Sequence, residues 1–325
     1  MKVLVTGGNG FLGSWLVRAL ARDHKVRVLH RKSSDMTALK DVPFESALGD
    51  VTDFESVLQS CHGVEAVFHV AAIVSYVPSE YEKMEKVNVG GTVNVIQAVQ
   101  QAGVRRLVQT SSVVAVGASP TPRLLNEESP FELSSYNLGY YETKRRAEQA
   151  IREAVKNQGL DAVIVNPSIV FGAGDAVKGS RKTHLKVAAG RFPFYPPGGV
   201  NIIHVADVVE GHLRALERGR TGERYILGGE NILVKELFGM LARAGGHRPP
   251  PIGLPAGLLR ATYGLSRQFI NWGIKITAPS DQSVLATMFH WYDTKKAREE
   301  LGLSPRPAAK AIEESVQWCL EHGYL

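Results

Sequence analysis

Two hydrophobic spacings alternate along the first half of the chain. Short apolar, β-branched runs at 2–6, 26–29, 66–70, 106–109 and 162–165 read as strands. Between them, 11–22, 54–59, 87–101 and 136–158 carry apolar residues at helical spacing. In the first of these Leu12, Trp15, Leu16 and Leu20 share one face. Gly103 and Gly159 stop the last two helices. Strands and helices in alternation require right-handed crossovers, and so a parallel sheet covered on both faces. The second half is less regular. Residues 192–199 (FPFYPPGG) read as an aromatic, Pro/Gly-rich loop, 205–217 as a helix, and 223–227 as a strand that returns to the sheet. A breaker-rich stretch at 246–257 precedes further helical segments, ending with 308–320.

Composition narrows the class. The 325 residues are 44% hydrophobic and 22% charged, enough for a large core, and no run reaches the ~18 apolar residues of a membrane span. The strand at Lys2 leaves no room for a secretory signal, which points to a cytoplasmic protein. Cys61 and Cys319 are too few for a disulfide framework and read as buried, inert thiols. No His/Cys/Asp cluster has metal-ligand spacing, so no metal is expected. The net charge of +6 suits a basic enzyme as well as a nucleic-acid binder. Without a zinc-finger or basic-zipper pattern, no nucleic-acid partner is expected.

Gly7, Gly10 and Gly13 stand in G-x-x-G-x-x-G spacing between the first strand and the first helix. Gly7 permits a tight turn, Gly10 lets a diphosphate approach the backbone, and Gly13 lets helix and strand pack closely. The helix N-terminus then presents free N–H groups to the anion. Gly7, Asn9, Gly10, Phe11, Leu12 and Gly13 are thus a candidate dinucleotide cradle. An NAD site expects a carboxylate at the end of the second strand. Here that strand ends His30-Arg31-Lys32-Ser33-Ser34, and no acid lies between Asp23 and Asp35. Arg31, with Lys32 and Ser33 as helpers, suits a 2′-phosphate, so the expected cofactor is NADP(H) rather than NAD(H). A solvated cationic strand end is the plain alternative. The expected fold is α/β: a Rossmann-type doubly wound parallel sheet with a smaller, mostly helical C-terminal substrate lobe. The boundary falls after Phe171. Residues 1–171 plus 205–228 would form the dinucleotide domain, and 172–204 plus 229–325 the substrate lobe.

Tyr140 and Lys144 are one helical turn apart and share a face. A nearby ammonium favours tyrosinate and lowers the phenol's pKa, which suits acid–base work on an alcohol/carbonyl pair. Ser112, in Thr110-Ser111-Ser112 after the fourth of these strands, could hydrogen-bond the reacting oxygen at the sheet's carboxyl edge. Tyr136 and Tyr141 compete for the same role.

In order along the chain stand TGGNGFLG, Gly49-Asp50, HVAA at 69–72, NVGGT at 88–92, TSS, YETK and Asn166-Pro167-Ser168. With HVADVVEGHLRALERGRTGERYILGGEN at 204–231 and DTKKAREELGLSPRP at 293–307, the whole chain resembles the extended short-chain dehydrogenase/reductase family, the NAD-dependent epimerase/dehydratases. It is most similar to dihydroflavonol-4-reductase-like proteins and the hopanoid-associated sugar epimerase group. The resemblance implies that Tyr140 is the acid/base, and that Lys144 lowers its pKa and holds the nicotinamide ribose. It implies that Ser112 orients the carbonyl, that Asp50 and Val51 lie by the adenine, and that Ala71 and Ala72 lie beside the diphosphate and ribose. Pro167 and Ser168 would flank the nicotinamide, and Asn88 would be a structural polar group near the site. Relatives often pair through helices 87–101 and 136–158, so a homodimer is compatible.

His69 and His204 read as satisfied structural histidines, and Asp207 as a helix cap. Lys178, Arg181, Lys182, Lys186 and Arg191 form an acid-free cationic stretch, either a solvated helix face or a border for an anionic substrate. Residues 253–276 are apolar, with Leu258, Leu259, Tyr263, Leu265, Phe269, Ile270 and Trp272. Packing within the small lobe is the expectation there, with a cap over an apolar substrate or contact with a membrane surface as alternatives. The expected activity is NADP(H)-dependent reduction of a small-molecule carbonyl. A nucleotide-sugar epimerase with retained cofactor is the alternative, and a cofactor-sensing regulator on the same fold is a third class.

Overall fold

The computed structural model describes residues 1–175, 181–274, 276 and 281–325. Its strands are β1 (Lys2–Thr6), β2 (Lys25–His30), β3 (Glu45–Leu48), β4 (Ala66–His69), β5 (Arg106–Thr110), β6 (Ala162–Pro167), β7 (Ile169–Phe171), β8 (Phe194–Tyr195), β9 (Gly199–His204), β10 (Arg224–Leu227), β11 (Glu230–Leu233) and β12 (Ile252–Gly253). The helices are α1 (Phe11–Leu20), α2 (Phe54–Cys61), α3 (Tyr81–Met84), α4 (Gly91–Gln101), α5 (Gly139–Gln158), α6 (Lys182–Ala188), α7 (Val205–Arg218), α8 (Val234–Ala244), α9 (Ala256–Asn271), α10 (Asp281–Leu285), α11 (Lys295–Leu301) and α12 (Ala308–Glu321).

Seven strands pair in the order β10-β6-β5-β4-β1-β2-β3, and every pairing is parallel. Strand alternation explains the layers. Val3 and Val5 point into a core with Leu16 and Val17 of α1 and Val208 of α7. Leu4 and Val67 point the other way, against Val57 of α2, Val95 and Val99 of α4 and Ile151 of α5. The sequence order reverses between β1 and β4, which leaves a crevice at their carboxyl ends, where open α/β sheets bind ligands.

Several features depart from the sequence reading. β3 was not expected: its residues ESAL lie mostly exposed at the sheet edge and lack a hydrophobic run. The 87–101 helix starts earlier, at Tyr81, and runs through a π-helical segment, Glu85–Gly90, before α4. The 136–158 helix starts later, because Asn137 takes a left-handed φ of 49° after the 3-10 turn Ser134–Tyr136. The second half also contains a three-stranded sheet, with β9 between antiparallel β11 and parallel β7. It shares a core with Leu237, Phe238 and Leu241 of α8 and Ile312 and Val316 of α12.

Asp207 is not the cap of α7. His204 is, its Nδ1 accepting from the Ala206 N–H at 3.0 Å. Asp207 instead accepts from the Arg306 N–H at 2.7 Å and pairs with the Arg306 guanidinium. Cys61 and Cys319 are buried and unbonded to each other, and burial pushes the Cys61 thiol up to about 12.

Candidate active site

A cleft of about 1320 Å³ runs along the carboxyl rim of the sheet and under α8 and α9. Its wall includes Gly7, Asn9, Gly10, Phe11, Leu12, Gly13, Arg31, Asp50, Val51, Ala71, Ala72, Ser112, Tyr140, Lys144, Pro167 and Ser168. Of the residues singled out as cofactor contacts, Lys32 is exposed and outside the wall, as is Ser33, the other suggested helper of Arg31. Ser34 takes their place.

The glycine turn is built around absent side chains. Gly7 has φ +69°, and a Cβ there would stand 2.7 Å from the Cα and N of Ala71. A Cβ on Gly13 would overlap the Gly7 carbonyl oxygen, whereas one on Gly10 would stand 3.4 Å from it, an ordinary contact. The Gly10 position therefore faces open cleft. No side chain caps α1, so the first N–H groups of that helix point outward without an acceptor among the described residues.

At the other end of the rim, the buried hydroxyls of Ser111 and Ser168 both line the cleft and have no partner among the described residues. Uncompensated buried hydroxyls are costly unless a ligand meets them. The open glycine turn, the uncapped helix start and these two hydroxyls together fit a dinucleotide. Asp50 keeps its place through an Asx turn, with Oδ1 accepting from the N–H and hydroxyl of Thr52, both at 2.9 Å.

Tyr140 opens α5 and is buried. Ser112 stands beside it in the cleft wall, and the Tyr76 ring meets it edge-on at 5.9 Å. Burial, and then Tyr76, push the phenol above its ordinary value, while the Ser112 side chain pulls it down. In the free protein the direction is thus opposite to the lowering expected from Lys144. Lys144 donates from Nζ to the Thr110 carbonyl at 3.0 Å, which fixes its ammonium at the end of β5. Asn166 ties the neighbouring strand ends together, donating from Nδ2 to the Ser112 carbonyl at 2.9 Å and to Glu148 one turn below Lys144.

Of the competing tyrosines, Tyr141 also lines the cleft but its hydroxyl is engaged, and Tyr136 lies outside the wall. Tyr141 Oη lies 2.7 Å from His290 Nε2, and Tyr136 sits in the turn before α5, where its carbonyl accepts from the Tyr263 hydroxyl at 2.5 Å. His69 is a structural histidine. Its Nδ1 lies 2.7 Å from Thr6 Oγ1 and its Nε2 3.3 Å from Thr92 Oγ1, and burial lowers it to about 3. Asn88 is held in the π-helical segment, from which its amide brackets Ile73: Oδ1 accepts from the Ile73 N–H at 2.8 Å and Nδ2 donates to the Ile73 carbonyl at 2.9 Å. Tyr76 is the site residue the sequence reading missed. It lies in a loop without periodicity, and only the fold brings it to Tyr140.

Beyond Tyr140 the wall is largely apolar, with Phe192, Leu237, Phe238, Leu254, Leu259, Leu265, Phe269, Leu285 and Met288. Of the cationic stretch, Lys178 lies outside the described residues, and Lys182, Lys186 and Arg191 are exposed and outside the wall. Arg181 does line it but is already engaged. Its Nε pairs with Asp175 at 2.5 Å, Nη1 lies 3.0 Å from His184 Nδ1, and Nη2 donates to the Val170 carbonyl. The 253–276 stretch corrects the packing expectation, since Tyr263 is the one buried residue of α9.

Comparison with known proteins agrees with this architecture. The chain is 36% identical over 336 residues to Sterol demethylase protein B of Methylococcus capsulatus, covering 100% of each. It is 31% identical to the 3-beta-hydroxysteroid dehydrogenase of Mycolicibacterium neoaurum, covering 99% of this chain and 91% of that one. The crystal structure of gox2253 superposes with a TM-score of 0.90 at 36% identity, covering 100% and 99% of the two chains. The model of the NAD dependent epimerase/dehydratase family matches residues 3–228. The chain belongs to that family of NAD(P)-dependent oxidoreductases and epimerases.

Proposed function

We propose that the protein is an NADP(H)-dependent oxidoreductase that reduces the carbonyl of an apolar small molecule to an alcohol. Residues 1–171 with 205–228 hold the cofactor, and 172–204 with 229–325 hold the substrate. A bound reduced nicotinamide would supply the hydride. The chain's own residues handle the oxygen. Ser112 donates a hydrogen bond to it, and Tyr140 gives it the phenolic proton as the alkoxide develops. Burial favours this direction, because it keeps the phenol protonated at neutral pH. Lys144, held by the Thr110 carbonyl, would bring its positive charge to the nicotinamide ribose.

The observation that carries the reading is that Ser112, Tyr140 and Lys144 line one cleft wall together with the glycine turn. For the cofactor, support comes from Arg31. Its guanidinium has no hydrogen-bond or ion-pair partner among the described residues, and no carboxylate stands at its strand end. For the substrate, support comes from the apolar wall and from the names of the sterol and steroid relatives.

A nucleotide-sugar epimerase is the second reading, and the family model itself favours it. Its substrate carries a diphosphate, which needs free cations in the wall. The engagement of Arg181 weighs against that. The test is NADPH consumption across a panel of apolar cyclic ketones and nucleotide sugars. Net oxidation with a ketone is the expected result. Cofactor that survives dialysis, with interconversion of a nucleotide sugar and no net NADPH oxidation, would overturn the reading.

A further inference from the structure

Helix α9 exposes apolar side chains that a helix packed on a protein surface ordinarily buries. Leu258, Leu265, Phe269 and Trp272 are 54%, 60%, 41% and 65% exposed. They fall at i, i+7, i+11 and i+14, so they form one stripe along the helix and its C-cap. Leu265 and Phe269 belong to both surfaces, lining the cleft while facing solvent. The stripe therefore continues the apolar wall out through the mouth of the cleft. Ile274, also exposed, extends it beyond the helix.

The charge of the segment that carries the stripe selects its partner. Residues 237–280 contain no Asp or Glu, and they carry Arg243, Arg248, Arg260, Arg267 and Lys275. An apolar stripe within an acid-free, cationic stretch, with Trp at the helix end, matches the interface of a bilayer with anionic headgroups.

We propose that α9 docks the protein on an anionic lipid bilayer, with Leu258, Leu265, Phe269 and Trp272 at the headgroup boundary and the cleft mouth turned toward the lipid. In this pose an apolar molecule dissolved in the bilayer reaches the cleft without crossing water. No helix among the described residues is long and apolar enough to span a membrane, so the attachment is interfacial and reversible.

The test is co-sedimentation of the full chain with vesicles of phosphatidylcholine containing phosphatidylglycerol, against vesicles of phosphatidylcholine alone. The parent should favour the anionic vesicles by about tenfold, with salt weakening the preference. The double variant Leu258→Ser/Trp272→Ser should lose about tenfold in partitioning. Neither residue lines the cleft, and both are exposed, so its thermal midpoint should match the parent's. In the parent, brominated lipid should quench a fluorescence component that Trp272→Tyr removes, while Trp15, Trp291 and Trp318 serve as the internal control. The proposal is overturned if the parent stays in the supernatant with anionic vesicles, or if the double variant binds as well as the parent. It is equally overturned if the lipid-free parent forms a dimer that the double variant abolishes, since a second copy would then own the stripe. None of these readouts uses turnover, so they stand apart from the catalytic reading.

Discussion

The carbonyl oxygen of Gly7 occupies the space that a Cβ on Gly13 would need, while a Cβ on Gly10 would clear that oxygen at 3.4 Å. The two glycines therefore do different work. Gly13→Ala should disturb the packing of β1 on α1 and lower stability by about 1–3 kcal/mol. Gly10→Ala should leave stability within about 0.5 kcal/mol yet weaken NADPH binding at least about tenfold, because its methyl enters the space left for the diphosphate. Thermal unfolding and isothermal titration on the two variants separate the effects.

Arg31 is the clearest test of cofactor choice. If its guanidinium receives the 2′-phosphate, Arg31→Ala should weaken NADPH binding by about 10–100-fold and leave NADH nearly unchanged. Titration of both nucleotides reads this directly. Equal affinity of the parent for the two would contradict the choice.

The amide of Asn88 fixes the wall that follows β4 by bracketing Ile73. Asn88→Ala would leave the Ile73 N–H unpaired and should lower stability by about 1–3 kcal/mol, measured by denaturant unfolding. Asn88→Asp should restore the acceptor but not the donor and should recover only part of the loss.

Acid should destabilise the fold through its buried histidines. Burial lowers His69 and His184 to about 3, and His212 and His290 to about 4, against an ordinary 6.5. The unfolded chain binds protons at these sites that the folded chain refuses. Their contribution is therefore complete above about pH 6.5 and is lost as pH falls toward the folded values. At pH 5 the loss is about 2 kcal/mol for each histidine. Asp281, raised by burial to about 6, works in the opposite sense, gaining stability as it protonates. Unfolding midpoints across pH 4–7 should therefore fall with acid, and His212→Asn should flatten the slope.

Much of the dinucleotide half was legible because its signals are local. The glycine spacing, the strand runs and the Tyr140–Lys144 turn each lie within a dozen residues, and alternation then dictates a parallel sheet. Long-range features were not legible. β7 and β11 are three and four residues long and depend on β9, some thirty residues from each. Tyr76 reaches Tyr140 only through the crossover after β4. Lys32 and Ser34 differ in reaching the cleft because the turn Ser34 N–H to Arg31 carbonyl, at 2.9 Å, folds the chain back. For α9, composition suggested core packing, and only the fold showed which side stays exposed.

The phenol of Tyr140 is the centre of the proposed chemistry, and its removal is the sharpest probe. With a ketone substrate, Tyr140→Phe should retain NADPH affinity within about threefold and lose about 10²–10⁴ in kcat/KM, read by single-turnover NADPH oxidation. A Phe variant that binds NADPH and turns over at the parent's rate would contradict the assignment of the proton to this residue.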